Sequence, residues 1–64
     1  MENTLFNTKQ AASYLGGFNP HTLEKWRHLG RGPVFLKLGY SVFYDRRDLD
    51  AWINDNRRVN TVYG

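Results

Sequence analysis

Apolar residues recur at helical spacing in three separate stretches of the chain. The three groups are Ala11, Ala12, Tyr14 and Leu15, then Leu23 and Trp26, and finally Leu49, Trp52 and Ile53. Residues three or four positions apart share one face of an α-helix. The pattern therefore predicts three short helices, each with one apolar face to bury and one polar face towards solvent.

Residues that cap or interrupt helices mark the ends of the first two. The side chain of Asn7 or Thr8 can accept a hydrogen bond from a free amide of a first helical turn. The glycine pair at 16–17 then ends this helix. The Asn-Pro pair at 19–20 favours a second helix start, and the Gly-Arg-Gly-Pro segment at 30–33 stops it. Two helices joined by a short glycine-containing turn are typical of a helix-turn-helix motif.

A β-hairpin is predicted after the second helix. Residues 34–38 and 42–44 are rich in β-forming side chains, and residues 39–41 contain the glycine of a short connection. The third helix is expected to open at Asp45, where Asp48 three residues later resembles the second half of a capping box. The predicted fold class is α+β: a winged helix-turn-helix with three short helices and a two-stranded β-hairpin wing between helices 2 and 3.

One small core must serve all of these elements. A chain of 64 residues holds one domain at most, and we expect this domain to span residues 1–58, with residues 59–64 as a C-terminal tail. Trp26, Tyr44 and Trp52 are interpreted as core residues rather than as platforms for stacked bases. The full predicted core is Leu5, Ala11, Ala12, Leu15, Leu23, Trp26, Phe35, Leu38, Val42, Tyr44, Leu49, Trp52 and Ile53.

Composition narrows the class of protein. The chain has no cysteine, which excludes disulfides and thiolate metal sites. With no apolar run near the ~20 residues of a membrane span and no visible signal peptide, we expect a soluble cytoplasmic protein without membrane contact. The net charge is +3, and residues 20–47 carry six basic and two acidic residues, whereas the rest of the chain is slightly acidic. A basic middle segment favours a polyanionic partner.

Several short motifs, in this order and spacing, resemble one known family. They are Thr8-Lys9-Gln10-Ala11-Ala12, Tyr14-Leu15-Gly16, Thr22-Leu23-Glu24-Lys25-Trp26-Arg27, Gly32-Pro33, Lys37-Leu38-Gly39, Tyr44 and Asp48-Leu49-Asp50-Ala51-Trp52. Together they cover about residues 5–57 and resemble the MerR-like winged helix-turn-helix family of small phage and mobile-element proteins. That family includes excisionases and AlpA-type transcriptional regulators.

The resemblance implies a double-stranded DNA partner, with the second helix in the major groove and the wing near an adjacent minor groove or the backbone. Excisionases of this kind bind side by side, bend DNA and steer an integrase towards excision, so cooperative self-association and an integrase partner are implied. AlpA-type members switch on genes of the element. This sequence departs from the family pattern at three places. The turn at residues 16–20 is about one residue longer than usual, and the wing tip is Tyr40-Ser41, where relatives often carry arginines. Phe43 stands where relatives often have a basic or polar residue.

Helical geometry suggests which side chains would contact DNA. If Leu23 and Trp26 point inward, then His21, Lys25 and His28 point outward at about 100° per residue. Thr22 and Arg27 would lie on the flanks of this face, where phosphates pass. The full set of predicted DNA contacts is His21, Thr22, Lys25, Arg27, His28, Arg31, Lys37, Tyr40, Ser41, Arg46 and Arg47.

Glu24 lies beside the outward face and allows two interpretations. It would accept a hydrogen bond from a cytosine amino group, or it would pair with His28 one turn later. Three aromatic residues, Phe18, Tyr40 and Phe43, are candidates for contact with a neighbouring protomer or with an integrase.

Other functional classes fit the residues less well. No nucleophile–base set or phosphate-binding glycine loop is present, so we expect no enzyme activity. No metal or cofactor is expected, because His21 and His28 would be about 10 Å apart along a helix. The main alternative to a DNA-binding protein is a winged helix that binds another protein. Excisionase and transcriptional regulator share the predicted residues, and small terminase subunits use the same fold, so the sequence leaves these roles open.

Overall fold

The computed structural model describes residues 4–57, which form three helices and a small antiparallel sheet. The elements in chain order are β1 Leu5–Phe6, α1 Thr8–Tyr14, α2 Pro20–Leu29, β2 Leu36–Leu38, β3 Ser41–Asp45 and α3 Arg46–Asp55. The α+β winged helix-turn-helix predicted from the sequence is confirmed. The predicted tail at residues 59–64 lies outside the described residues, and the predicted domain boundary therefore stays a prediction.

Local side-chain hydrogen bonds begin α1 and α2 where the sequence placed them. The Asn7 side chain accepts from the Gln10 backbone N–H at 2.7 Å, and the Gln10 side chain accepts from the Asn7 backbone N–H at 2.9 Å. This reciprocal pair is a capping box that the sequence interpretation did not identify. At the start of α2, Asn19 accepts from the His21 backbone N–H at 2.9 Å. Each bond satisfies an amide that a first helical turn leaves unpaired.

The start of α3 differs from the prediction. Asp45 is the N-cap, but its side chain accepts from the backbone N–H of Arg47 at 2.9 Å, not from that of Asp48. The capping box expected between Asp45 and Asp48 is therefore wrong. An aspartate is one methylene shorter than the glutamate of that motif, so Asp48 reaches back less far.

The wing is a tighter hairpin than the sequence suggested. Strands β2 and β3 pair antiparallel, with Leu36 opposite Phe43 and Leu38 opposite Ser41. This register leaves a two-residue turn, Gly39-Tyr40, so the expected three-residue connection is wrong. Gly39 has φ +67°, a backbone conformation that favours glycine at the first central position of such a turn. Strand β2, the first strand of the hairpin, begins at Leu36, two residues later than predicted.

A third strand joins the hairpin to the start of the chain. Leu5 lies opposite Asp45 and Phe6 opposite Tyr44, so β1 pairs with β3 and the strand order is β1-β3-β2. The backbone N–H of Arg46 extends this contact by donating to the Thr4 carbonyl at 2.9 Å. The predicted two-stranded hairpin is thus one side of a three-stranded sheet. A strand of two residues is too short to produce an alternating pattern that sequence analysis detects.

The core lies where the three helices meet β3. The fully buried apolar residues are Ala11, Ala12, Leu23, Tyr44 and Leu49. Phe6, Leu15, Trp26 and Val42 pack against them. Trp26 and Trp52, both half-buried, lie with ring centroids 5.3 Å apart and connect α2 to α3. The core role predicted for Trp26, Tyr44 and Trp52 is consistent with this packing.

Three residues predicted for the core are exposed. Leu38, Phe35 and Ile53 expose 53%, 39% and 39% of their surface. Leu38 ends the edge strand β2 beside the turn, beyond the reach of the helices. Only a narrow face of α3 packs against the rest of the domain, and Leu49 and Trp52 occupy it. Ile53 lies outside this face, because so small a domain offers few neighbours to each helix. Within residues 4–57, no helix has the length and apolar character needed to cross a membrane.

Candidate nucleic-acid interface

The outward side of α2 carries a row of exposed polar residues. His21, Lys25 and His28, called the outward trio below, are all exposed, whereas Leu23 on the opposite side is 1% exposed and Trp26 is half-buried. The predicted orientation of this helix is confirmed. The trio therefore faces away from the described part of the chain and is available to a ligand.

An acidic side chain modifies the first turn of this surface. The Glu24 Oε1 atom lies 3.2 Å from His21 Nδ1, and the two side chains expose 47% and 86% of their surface. Of the two interpretations of Glu24, the pair with His28 is wrong, because Glu24 contacts His21, one turn earlier in the helix. With histidine counted as neutral, Lys25 carries the formal positive charge of the outward trio.

Arg27 has a different environment from the rest of the predicted contacts. Its guanidinium Nη1 donates to the Tyr44 hydroxyl at 2.7 Å and to the Thr8 hydroxyl at 3.3 Å. The guanidinium carbon also lies 5.7 Å from the centroid of the Phe35 ring and 5.9 Å from that of Tyr44. Arg27 thus joins α1, α2 and β3, a role that sequence analysis missed. Thr22, on the other flank, is half-buried in the first turn of α2.

The wing and the loop that precedes it present four further predicted contacts to solvent. Arg31, Lys37 and Ser41 are exposed, and Tyr40 at the turn is fully exposed at 102%. Phe18 is 41% exposed and touches Trp26 with its ring edge, whereas Phe43 is half-buried. The three aromatics suggested for protein contact therefore differ in availability, and Tyr40 is the most accessible.

The two arginines that open α3 have unequal environments. Both are exposed, but Arg47 forms a two-point pair with Asp45, Nε to Oδ1 at 3.2 Å and Nη2 to Oδ2 at 3.1 Å. Hydrogen bonding to the Arg47 side chain holds the pKa of Asp45 below its usual value, and the same contact raises the pKa of Arg47. Arg46 forms no ion pair with residues 4–57. Arg46 thus offers a freer charge than Arg47.

The described residues contain no group of three or more histidine, cysteine, aspartate or glutamate side chains placed to hold a metal ion. What residues 4–57 do bring together is a helix face with exposed nitrogen donors and a hairpin with basic and hydroxyl side chains. Such groups donate hydrogen bonds to phosphate oxygens and to acceptors on base edges.

Comparison with known protein families gives one finding. A family model described as a helix-turn-helix domain matches residues 5–57, which is most of the chain. The matched segment includes both helices of the motif, the wing and α3. Comparison with curated proteins gives no match.

Proposed function

Since this chain belongs to the helix-turn-helix domain family, we propose that it binds double-stranded DNA through α2 in the major groove and the wing beside it. The observation that carries the proposal is the exposed outward trio on the helix side opposite buried Leu23. Helix-turn-helix proteins bind DNA with the second helix of the motif in the major groove. In this chain that helix is α2.

The outward trio is assigned to the base edges. The first residues of a recognition helix lie nearest the bases, so His21 and Lys25 are the principal candidates, with His28 one turn further along. Lysine donates to guanine acceptors, and an imidazole N–H does the same. Thr22, at the helix start, is assigned to a phosphate oxygen.

The loop, the wing and the start of α3 are assigned to the DNA backbone. The residues concerned are Arg31, Lys37, Tyr40, Ser41, Arg46 and Arg47. Backbone contacts of this type set the orientation of a protein on the duplex and supply much of its affinity. Arg47 must share its guanidinium between Asp45 and a phosphate, so we assign it the smaller contribution.

The role proposed for this DNA binding is that of an excisionase, a factor that favours integrase-mediated excision of a phage or mobile element. Support comes from the resemblance of residues 5–57 to that family and from the small size of the domain. A single small module contacts few bases and phosphates, so tight binding requires cooperation between copies. The alternative is an AlpA-type transcriptional regulator, which uses the same surface. A protein-interaction module is the second alternative, and fully exposed Tyr40 favours it.

Binding to random-sequence duplex DNA at several salt concentrations tests the DNA proposal. We expect affinity to fall steeply as salt rises, with a slope of about −0.9 on logarithmic axes for each phosphate neutralised. Arg57→Ala is the matched control, because it removes one exposed positive charge just beyond the C-terminal end of α3, whereas the proposed contacts Arg46 and Arg47 lie at the start of this helix. Absence of binding by the folded protein at low salt would refute the proposal and favour the protein-interaction module.

The excisionase role requires a separate assay. The neighbouring genes are first searched for an integrase, and excision by that integrase is then measured with and without the protein on DNA that carries both attachment junctions. Stimulation supports the excisionase, whereas specific binding upstream of a gene without stimulation supports the regulator.

A further inference from the structure

The guanidinium of Arg27 is held firmly although no carboxylate within residues 4–57 neutralises it. Its two hydrogen bonds, to the hydroxyls of Tyr44 and Thr8, both start from Nη1. A guanidinium has five N–H donors, so Nε and Nη2 keep three for other acceptors. The aromatic rings of Phe35 and Tyr44 restrict the position of the charge further. Arg27 is thus a preoriented, partly desolvated cation.

Arg27 also lines an open cavity of about 310 Å³. It lies between the end of α2 and the start of β2. Its lining residues are Arg27, Gly30, Arg31, Gly32, Pro33, Val34 and Phe35. Two of these residues are positively charged and none is acidic. Pro33 is buried, and the left-handed backbone at Gly30 and Gly32 shapes the wall.

We propose that this cavity is a preformed site for one phosphoryl group, which on DNA is a single backbone phosphate. Tyr44 is a positioning residue of this site, because its hydroxyl holds the guanidinium of Arg27. Arg27 and Arg31 supply the charge. Two arginines around a concave site suit a phosphoryl group because their planar forks donate paired hydrogen bonds to its oxygens. This inference rests on the proposed function, since the phosphate would belong to the DNA that α2 enters.

The preorganisation of Arg27 lowers the entropic cost of binding a phosphate at this site. A free arginine side chain loses rotamer freedom when it binds a phosphate, whereas the bonds to Tyr44 and Thr8 have already restricted Arg27. Because Arg27 belongs to α2, a phosphate fixed by its side chain would set the position of this helix relative to the DNA backbone. A core residue, Tyr44, thereby contributes to DNA binding without touching DNA.

Affinity and salt dependence of three variants test the site. We expect Arg27→Gln and Arg31→Gln each to bind DNA about tenfold more weakly, with a shallower dependence of affinity on salt concentration than the wild type. Tyr44→Phe keeps the core ring and the Arg27 charge, so we expect a loss of about fivefold at an unchanged slope. Arg57→Gln is the charge-matched control. The melting temperature of each variant is measured first, and exposed Arg31 provides a second variant if Arg27→Gln fails to fold.

Neutral methylphosphonate linkages, placed one at a time along the bound DNA, identify the phosphate. We expect one linkage to weaken the wild-type protein about tenfold but to weaken Arg27→Gln and Arg31→Gln clearly less, because each variant has already lost one of the two charges that face this phosphate. If every linkage weakens wild type and variants equally, the site is refuted although DNA binding stands. If the wild type fails to bind duplex DNA at all, the proposed function itself fails.

Inorganic phosphate separates the two sources of the phosphoryl group. On DNA the site is expected to show the linkage-specific coupling, with at most weak stabilisation by millimolar phosphate. Stabilisation by phosphate that Arg27→Gln abolishes, without any coupling to a linkage, would overturn the assignment to the DNA backbone.

Discussion

Two neighbouring residues of α2 have opposite surroundings. Leu23 is 1% exposed against the other helices, while Lys25, two positions later, is exposed to solvent. A turn of about 200° about the helix axis separates their side chains. Leu23 therefore contributes to folding, whereas Lys25 is free to contribute to binding, and the two effects are separable by substitution.

Lys25→Ala is expected to weaken DNA binding about tenfold and to leave the melting temperature unchanged. The reason is that Lys25 is exposed and forms no ion pair within residues 4–57, and alanine is a good helix former. Affinity is measured by fluorescence anisotropy on a labelled duplex, and stability by circular dichroism.

Arg57→Ala provides the comparison, since it lowers the net charge equally but is expected to change affinity little. If the melting temperature of Lys25→Ala falls together with its affinity, Lys25 supports the fold and the assignment of the outward trio is wrong.

The segment 30–33 shows at the level of elements how the wing is attached to α2. Gly30 ends the helix in a left-handed conformation, and the Arg31 backbone N–H donates to the Trp26 carbonyl at 2.9 Å. Gly32 then passes so close to Trp26 that an added Cβ would lie 3.0 Å from its side chain. The angle between α2 and β2 therefore depends on a close approach of backbone to the indole.

Gly32→Ala is expected to destabilise the domain by about 3 kcal/mol, through strain at φ +88° and collision with Trp26. Gly30→Ala is the matched control. It has φ +73° but open space around the added carbon, so about 1 kcal/mol is expected. Both losses are to be measured by urea unfolding followed by tryptophan fluorescence. Equal losses in the two variants would mean that Trp26 moves aside at little cost.

At the scale of the whole molecule, the surface proposed for DNA is small. Residues 4–57 present one outward helix face and one hairpin, and the net charge of the 64 residues is +3. A surface of this extent neutralises few phosphates, so a single copy should bind weakly at physiological salt. Tight and selective binding would then require several copies on neighbouring sites.

Footprinting is expected to show cooperative protection of adjoining sites. On DNA with two sites, protection should rise more steeply with protein concentration than on a fragment with one site. The single-site fragment is the control, because it allows no contact between copies. Protection that stays confined to one short site at saturation would contradict the cooperative model.

Features that depend on near neighbours in the chain could be predicted from the sequence. The caps Asn7 and Asn19, the stop at Gly30 and the inward direction of Leu23 each follow from the residue type and its position within one turn. The outward trio follows as well, because a regular helix places its polar face once its buried face is known. The order of helices and hairpin could be predicted for the same reason, because short connections join elements that are adjacent in the chain.

Only the tertiary structure decided which distant residues meet. Strand β1 forms because β3 lies beside it, and Arg27 turns inward because Tyr44 and Thr8, 17 and 19 residues away, offer acceptors. Local propensity carries no information about such pairs, because the cost of closing the chain between them is recovered only when the whole core assembles. The arginine-lined cavity and the exposure of Leu38 and Ile53 are likewise consequences of how the complete elements pack.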